Sequence, residues 1–171
     1  SKMASIKEQF EVPGTLGVIC DFDSWKTKYS ERPGFYPLIN PEQLTQITVN
    51  QRAFLPLNAE AEIPSDLHSY TTLVLVLSTT YDNKTQLFRH FFSRLNQLNS
   101  KHAVILKIAS DEIDAEKFQL NVSSDAGSLF IDGYGDGIWI QSVQPLTRSN
   151  STAFGILQAT RTRISKTEYI S

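Results

Sequence analysis

The sequence predicts an α/β domain made mostly of parallel βα units, and three features of one stretch carry that prediction. Leu73-Val74-Leu75-Val76-Leu77 is an unbroken aliphatic run with interleaved β-branched residues, the pattern of a strand buried on both faces, and it places a central strand over 71–78. Past the polar stretch 79–85, Leu87, Phe88, Phe91, Phe92, Leu95 and Leu98 recur at helical spacing and define one apolar face. Ala103-Val104-Ile105-Leu106-Lys107-Ile108 then supplies a second short strand, at the distance a parallel crossover requires. Strand, helix and strand in that order form a βαβ unit.

The alternation continues toward the C-terminus. Residues 111–122 are expected to form a helix turning Ile113, Phe118 and Val122 inward, followed by a third strand at Leu129-Phe130-Ile131. Gly137-Ile138-Trp139-Ile140-Gln141 reads as a fourth strand, and polar residues at 149–151 cap a closing helix that uses Phe154, Ile156, Leu157 and Ile164. The first 70 residues are less regular in pattern. Residues 16–22 are strand-like and 41–47 helix-like, but six of the seven prolines precede residue 65 and interrupt longer elements, so irregular structure is expected there. Residues 1–171 read as one α/β domain, with 1–10 a boundary or linker and Ser1-Lys2-Met3 an artificial start.

Composition narrows the classes of function without naming one. With 40% hydrophobic and 20% charged residues the chain can bury a core and is neither disordered nor fibrous. A net charge of −2 supplies no general basic field for nucleic acid or an anionic membrane. The single cysteine, Cys20, excludes an internal disulfide and any multi-thiolate metal centre made by this chain alone. No apolar run approaches the ~20 residues that span a bilayer, and no signal-peptide pattern is present, so a cytoplasmic setting is expected.

Four of the eight glycines lie in the run from Ala126 to Gly137, Ala-Gly-Ser-Leu-Phe-Ile-Asp-Gly-Tyr-Gly-Asp-Gly. At the carboxyl end of a parallel strand such glycines let backbone amides face an anion, which makes Gly127, Ser128, Gly133 and Gly135 candidate phosphate-binding residues. A tight turn in which Asp132 and Asp136 bond local amides is the favoured reading of the residues, because two carboxylates repel a phosphate. Arg161 and Arg163 either complement the exposed carbonyls of a helix C-terminus or pair with an anionic ligand. Asp21, Asp23, Asp132 and Asp136 suit a divalent cation only if they converge, which their spacing does not force. His68, His90 and His102 have no ligand-like spacing, and His90, beside Phe88 and Phe91, is expected to flank the core.

Two segments together resemble a known family. The run 126–137, followed by Phe154-Gly155-Ile156-Leu157-Gln158-Ala159-Thr160-Arg161-Thr162-Arg163 and Lys166-Thr167-Glu168-Tyr169-Ile170-Ser171, is similar to the plant-type, three-domain form of 4-hydroxy-3-methylbut-2-enyl diphosphate synthase. The likeness covers roughly the last 50 residues well and residues 1–70 little. It implies a parent enzyme of non-mevalonate isoprenoid biosynthesis, an oxidoreductase that reductively opens and dehydrates methylerythritol cyclodiphosphate. The resemblance further implies a 4Fe-4S cluster in another domain, ferredoxin or flavodoxin as electron donor, and a plastid stroma location in a plant-like source.

Within that family the chain resembles the inserted middle domain, a partial or degenerate (β/α) barrel standing between the catalytic barrel and the iron-sulfur domain. Residues 151–171 would then be the exit helix and linker toward the iron-sulfur domain. No catalytic residue and no metal ligand are assigned to the chain itself, because Cys20 matches no cluster ligand. The implied role is a spacer, inactive in isolation; a regulatory module that binds phosphate or diphosphate through 127–137 is the alternative. A full barrel requires ~200–250 residues, which is why a partial one is expected.

Overall fold

The computed structural model describes residues 16–167, with side chains as far as Arg161. Six strands follow one another in sequence order across one sheet, and the pairings β1 with β2, β2 with β3 and β5 with β6 are all parallel. Sequential order is that of a singly wound βα chain, in which each crossover advances the sheet by one strand. The α/β expectation with parallel βα units holds. The chain divides into two compact units, one holding residues up to Pro56 together with Pro64–Leu75 and the other Leu57–Ile63 together with the rest from Val76.

The first unit is more regular than its prolines suggest. Strand β1 (Val18–Asp21) pairs with β2 (Phe35–Leu38) in the register Val18 to Phe35 through Asp21 to Leu38, and Leu38 is the partner of Phe54 at the start of β3 (Phe54–Asn58). Pro37 and Pro56 lie inside β2 and β3, where each removes one amide donor from the ladder. That cost conceals both strands from a reading of the sequence, and burial of Phe35, Leu55 and Leu57 offsets it. The strand-like reading of 16–22 holds as β1, and the expectation of irregular structure around it is corrected by two further strands, β2 and β3.

Between β1 and β2 a short helical segment, Phe22–Ser24, runs into a π-helical turn, Trp25–Tyr29, and Tyr29 stacks on Phe35 at 4.5 Å between ring centroids. Residues 41–47 form a 3-10 turn, Pro41–Gln46, entered through a capping box: Gln43 N–H donates to Asn40 Oδ1 at 3.1 Å and Asn40 N–H to Gln43 Oε1 at 2.9 Å.

Cys20 sits in this core at 4% exposure, and burial, followed by the neighbouring Asp21 carboxylate, pushes its thiol above the ordinary value. Because the folded chain holds this proton more tightly, stability from Cys20 is complete below the ordinary thiol range and is lost as pH rises through the shifted value. Labelling by a disulfide reagent at pH 8 is expected to be at least about 100-fold slower in the native protein than in urea. The denaturation midpoint should fall between pH 8 and 10 more steeply for wild type than for Cys20→Ala.

The second unit is a regular βα succession. Strand β4 (Val74–Ser78) ends in it, followed by α1 (Lys84–Gln97), β5 (Ala103–Ser110), α2 (Ala115–Ile131), β6 (Gly137–Ser142) and α3 (Leu146–Thr167). Phe88, Phe91 and Leu95 of α1 are buried at the predicted spacing, whereas Leu98 and His90 are exposed. On β5 burial alternates, with Val104, Leu106 and Ile108 enclosed and Ile105 and Lys107 half-buried between them.

The largest departure concerns α2, which continues to Ile131 and takes the place of the expected third strand. Asp114 sets its start by accepting from Glu116 N–H at 3.0 Å and Lys117 N–H at 2.9 Å. From there Phe118, Val122, Ala126, Leu129 and Phe130 keep one helical face buried, so Leu129-Phe130-Ile131 is a last helical turn. Ile113 precedes the helix and is 84% exposed. In α3 the residues turned inward are Ser149, Thr152, Ile156 and Thr160, while Phe154, expected inside, is 65% exposed. Three hydroxyl residues hide the buried face of α3 from any hydrophobic pattern.

Candidate functional site

Correcting α2 moves the glycine-rich segment. The turn 132–136 follows a helix and precedes β6, so it lies at the amino end of that strand, opposite the carboxyl ends where ligands of parallel sheets are held. Gly127 and Ser128 are not in a loop: both are within α2, and Ser128 Oγ donates to Ser124 O at 3.3 Å. Gly133 and Gly135 do form the turn, with φ of 80° and 86°. Gly133 N–H donates to Phe130 O at 3.1 Å and Tyr134 N–H to Leu129 O at 2.9 Å, closing the helix with carbonyls that would otherwise lack donors.

Four of the five amides of 132–136 and both carboxylates, the groups a phosphate loop would need free or absent, have structural partners. Asp136 grips β5 twice: its N–H donates to Val104 O at 2.7 Å and its Oδ2 accepts from Val104 N–H at 2.8 Å. Asp132 forms an ion pair with Arg89 of α1, and Tyr134 stacks on Phe92 at 4.9 Å. Gly135 is wedged against the core, since a Cβ there would stand 3.1 Å from Leu106 Cγ and 3.2 Å from Phe130 Cε1. These contacts make the segment a joint that fixes α1, α2, β5 and β6 together. The turn expected from Asp132 and Asp136 is present, but their carboxylates do not bond local amides: Asp136 reaches Val104 across 32 residues and Asp132 reaches Arg89.

At the opposite, carboxyl edge, the ends of β5 and β6 border a shallow cavity of about 430 Å³ lined by Ser110, Asp111, Gln141 and Ser142 among others. Gln144 ties the two edge loops by donating to Glu112 O at 2.8 Å and Ile113 O at 2.7 Å, and Ser142 and Ser149 share a hydrogen bond of 2.9 Å. One carboxylate among hydroxyls and an amide offers no cationic group to a diphosphate. Sequence reasoning missed this edge. The only available signal was its position after a strand.

Arg161 is exposed on α3, and the side chain of Arg163 lies outside the described residues. Among the described residues no three His, Cys, Asp or Glu side chains converge to hold a metal ion. The whole chain has one thiol, whereas iron-sulfur clusters are held mostly by four, so the donor set does not fit a cluster. Among the described helices none is long and apolar enough to cross a membrane.

Fold and joint define a sequentially ordered, parallel βα domain whose glycine-rich segment is architectural. Over nearly its whole length this chain is similar to proteins named 4-hydroxy-3-methylbut-2-en-1-yl diphosphate synthase (flavodoxin), and it fits a fragment of that enzyme. It is 42% identical to the Parabacteroides distasonis protein over 176 positions, covering 94% of this chain and 26% of the relative. For Bacteroides fragilis the identity is 33% over 174 positions, with 98% and 27% covered, and for Phocaeicola vulgatus 31% over 163, with 91% and 26%. The chain thus spans about a quarter of the length of the curated relatives it matches. Residues 1–70 share in the likeness that the motifs alone carried only near the C-terminus. No family model and no solved structure matches the chain.

Proposed function

We propose that the chain is a non-catalytic scaffold within a 4-hydroxy-3-methylbut-2-enyl diphosphate synthase, holding a catalytic barrel and an iron-sulfur domain of the same polypeptide at a fixed separation. The observation that carries this reading is the joint at 132–136, in which four of the five amides, both carboxylates and the Tyr134 ring are taken up by the domain's own framework. The parent's reaction is the reductive opening and dehydration of methylerythritol cyclodiphosphate in isoprenoid synthesis. Its 4Fe-4S cluster belongs to another part of the polypeptide, as does docking of the flavodoxin or ferredoxin donor, and its setting is the cytoplasm of a bacterial host. The relatives' names, which specify flavodoxin, support that donor.

Binding of phosphate through Gly127, Ser128, Gly133 and Gly135 is disfavoured on the same grounds. Gly133 and Tyr134 amides already donate to carbonyls, and Gly127 is a turn and a half of helix away from them. A scaffold acts by closing separate domains on a shared site. In the full-length synthase, exchange of this segment for a flexible linker of equal length is expected to lower turnover at least about 100-fold while iron content stays near wild type. Unchanged turnover would reject the scaffold.

A further inference from the structure

The faces of α2 and α3 that lie side by side leave a groove of about 380 Å³, in which Ser123 and Gly127 of α2 stand across from Ser151, Gly155 and Ala159 of α3. Two properties of this groove have no use inside the domain. A Cβ added at Gly127 or Gly155 would meet nothing within 4 Å, and neither glycine has a positive φ, so the fold requires neither. Glycine within a helix nonetheless weakens it relative to alanine. None of the lining residues is charged, in a chain of 20% charged residues.

Ile131, which lines the groove, is 45% exposed, and on the same two helices Leu120 at 70% and Phe154 at 65% are exposed next in sequence to the lining residues Gln119 and Gly155. Six of the ten large hydrophobic residues that are exposed among the described residues lie on α2, on α3 or in the loops that lead into them. An uncharged, small-residue trough with apolar margins suits the close approach of another helix, because the axes of packed helices are separated by the side chains at their contact.

We infer that this groove is the surface through which the domain engages the rest of its polypeptide, by receiving an uncharged helix face from the remaining part of the synthase. Resting on the scaffold reading, this names the face through which the scaffold acts. The relatives are about four times as long as this chain, so in a synthase of that length some three quarters of the polypeptide lies outside the domain and is available to it in cis. A charged partner such as an acidic electron donor is disfavoured, since nothing in the groove pairs with it.

The test uses the full-length synthase with Gly155→Leu, which fills the groove, and separately Leu120→Glu, which charges its margin from an exposed position. Each is expected to lower turnover at least tenfold and to raise hydroxyl-radical labelling of Ile131 and Phe154 severalfold, with far-ultraviolet dichroism and iron content unchanged. Turnover and labelling both at wild-type values in both variants would overturn the inference. So would a loss of self-association on sedimentation, which assigns the groove to a second copy. If linker exchange abolishes turnover but these variants do not, the scaffold stands and this surface falls; if linker exchange is harmless, the scaffold reading itself has failed.

Discussion

Phe118→Ala is expected to destabilise the domain by about 3–5 kcal/mol, the range for removing a fully enclosed aromatic ring and leaving its cavity. Phe118 has 0% exposure in the first turns of α2, just after the Asp114 cap, where the helix meets the sheet. Alanine keeps the helix propensity high, so the loss reports on packing alone. Urea denaturation followed by tryptophan fluorescence would measure it. Phe154→Ala is the control: the same atoms are deleted from a side chain that is 65% exposed, and the change should stay within about 0.5 kcal/mol. Equal effects at the two positions would show that α2 is not packed as described.

Gly135→Ala is expected to cost roughly 2–4 kcal/mol, because two penalties coincide. At φ of 86° an L-residue is strained, and its Cβ would press on Leu106 and Phe130, both buried and neither at the free end of a surface side chain. Gly133→Ala meets only the first penalty, since at φ of 80° its Cβ has open space. Gly127→Ala meets neither and should instead stabilise α2 by about 0.5–1 kcal/mol. Thermal unfolding of the three variants should therefore rank Gly127→Ala above wild type, then Gly133→Ala, then Gly135→Ala. The opposite order for Gly127 and Gly135 would remove the basis for treating 132–136 as the joint.

What could be read from the residues follows from how each element is stabilised. Strand β4, helix α1 and strand β5 declare themselves because their burial is purely aliphatic or aromatic and keeps one period throughout. The last third of α2 does not, because Leu129-Phe130-Ile131 is apolar at three successive positions and fits either period; the Asp114 cap and the distance from Phe118 to Ala126 decide for the helix. Strands β2 and β3 are hidden by Pro37 and Pro56, whose local preference opposes the ladder that the neighbouring strands impose. At the glycine-rich segment a turn forms as read from the residues, but Asp132 and Asp136 bond Arg89 and Val104 rather than local amides, and its position at the amino end of β6 became visible only once α2 was known to reach Ile131. Hydrogen bonds across 32 residues, such as those joining Asp136 and Val104, have no local signature.

The hydroxyl-lined seat of α3 sets how this helix leaves the domain. Ile156 is the only large aliphatic residue that it buries deeply among its described side chains; Ser149, Thr152 and Thr160 make up the remainder, and water can satisfy hydroxyls as well as the protein does. Of α3's own side chains, lifting it away would expose one deeply buried aliphatic group, so α3 is expected to open locally at lower cost than the sheet melts. Amide hydrogen exchange in α3 is accordingly expected to outpace that of β4 and β5, marking it as the element that swings first.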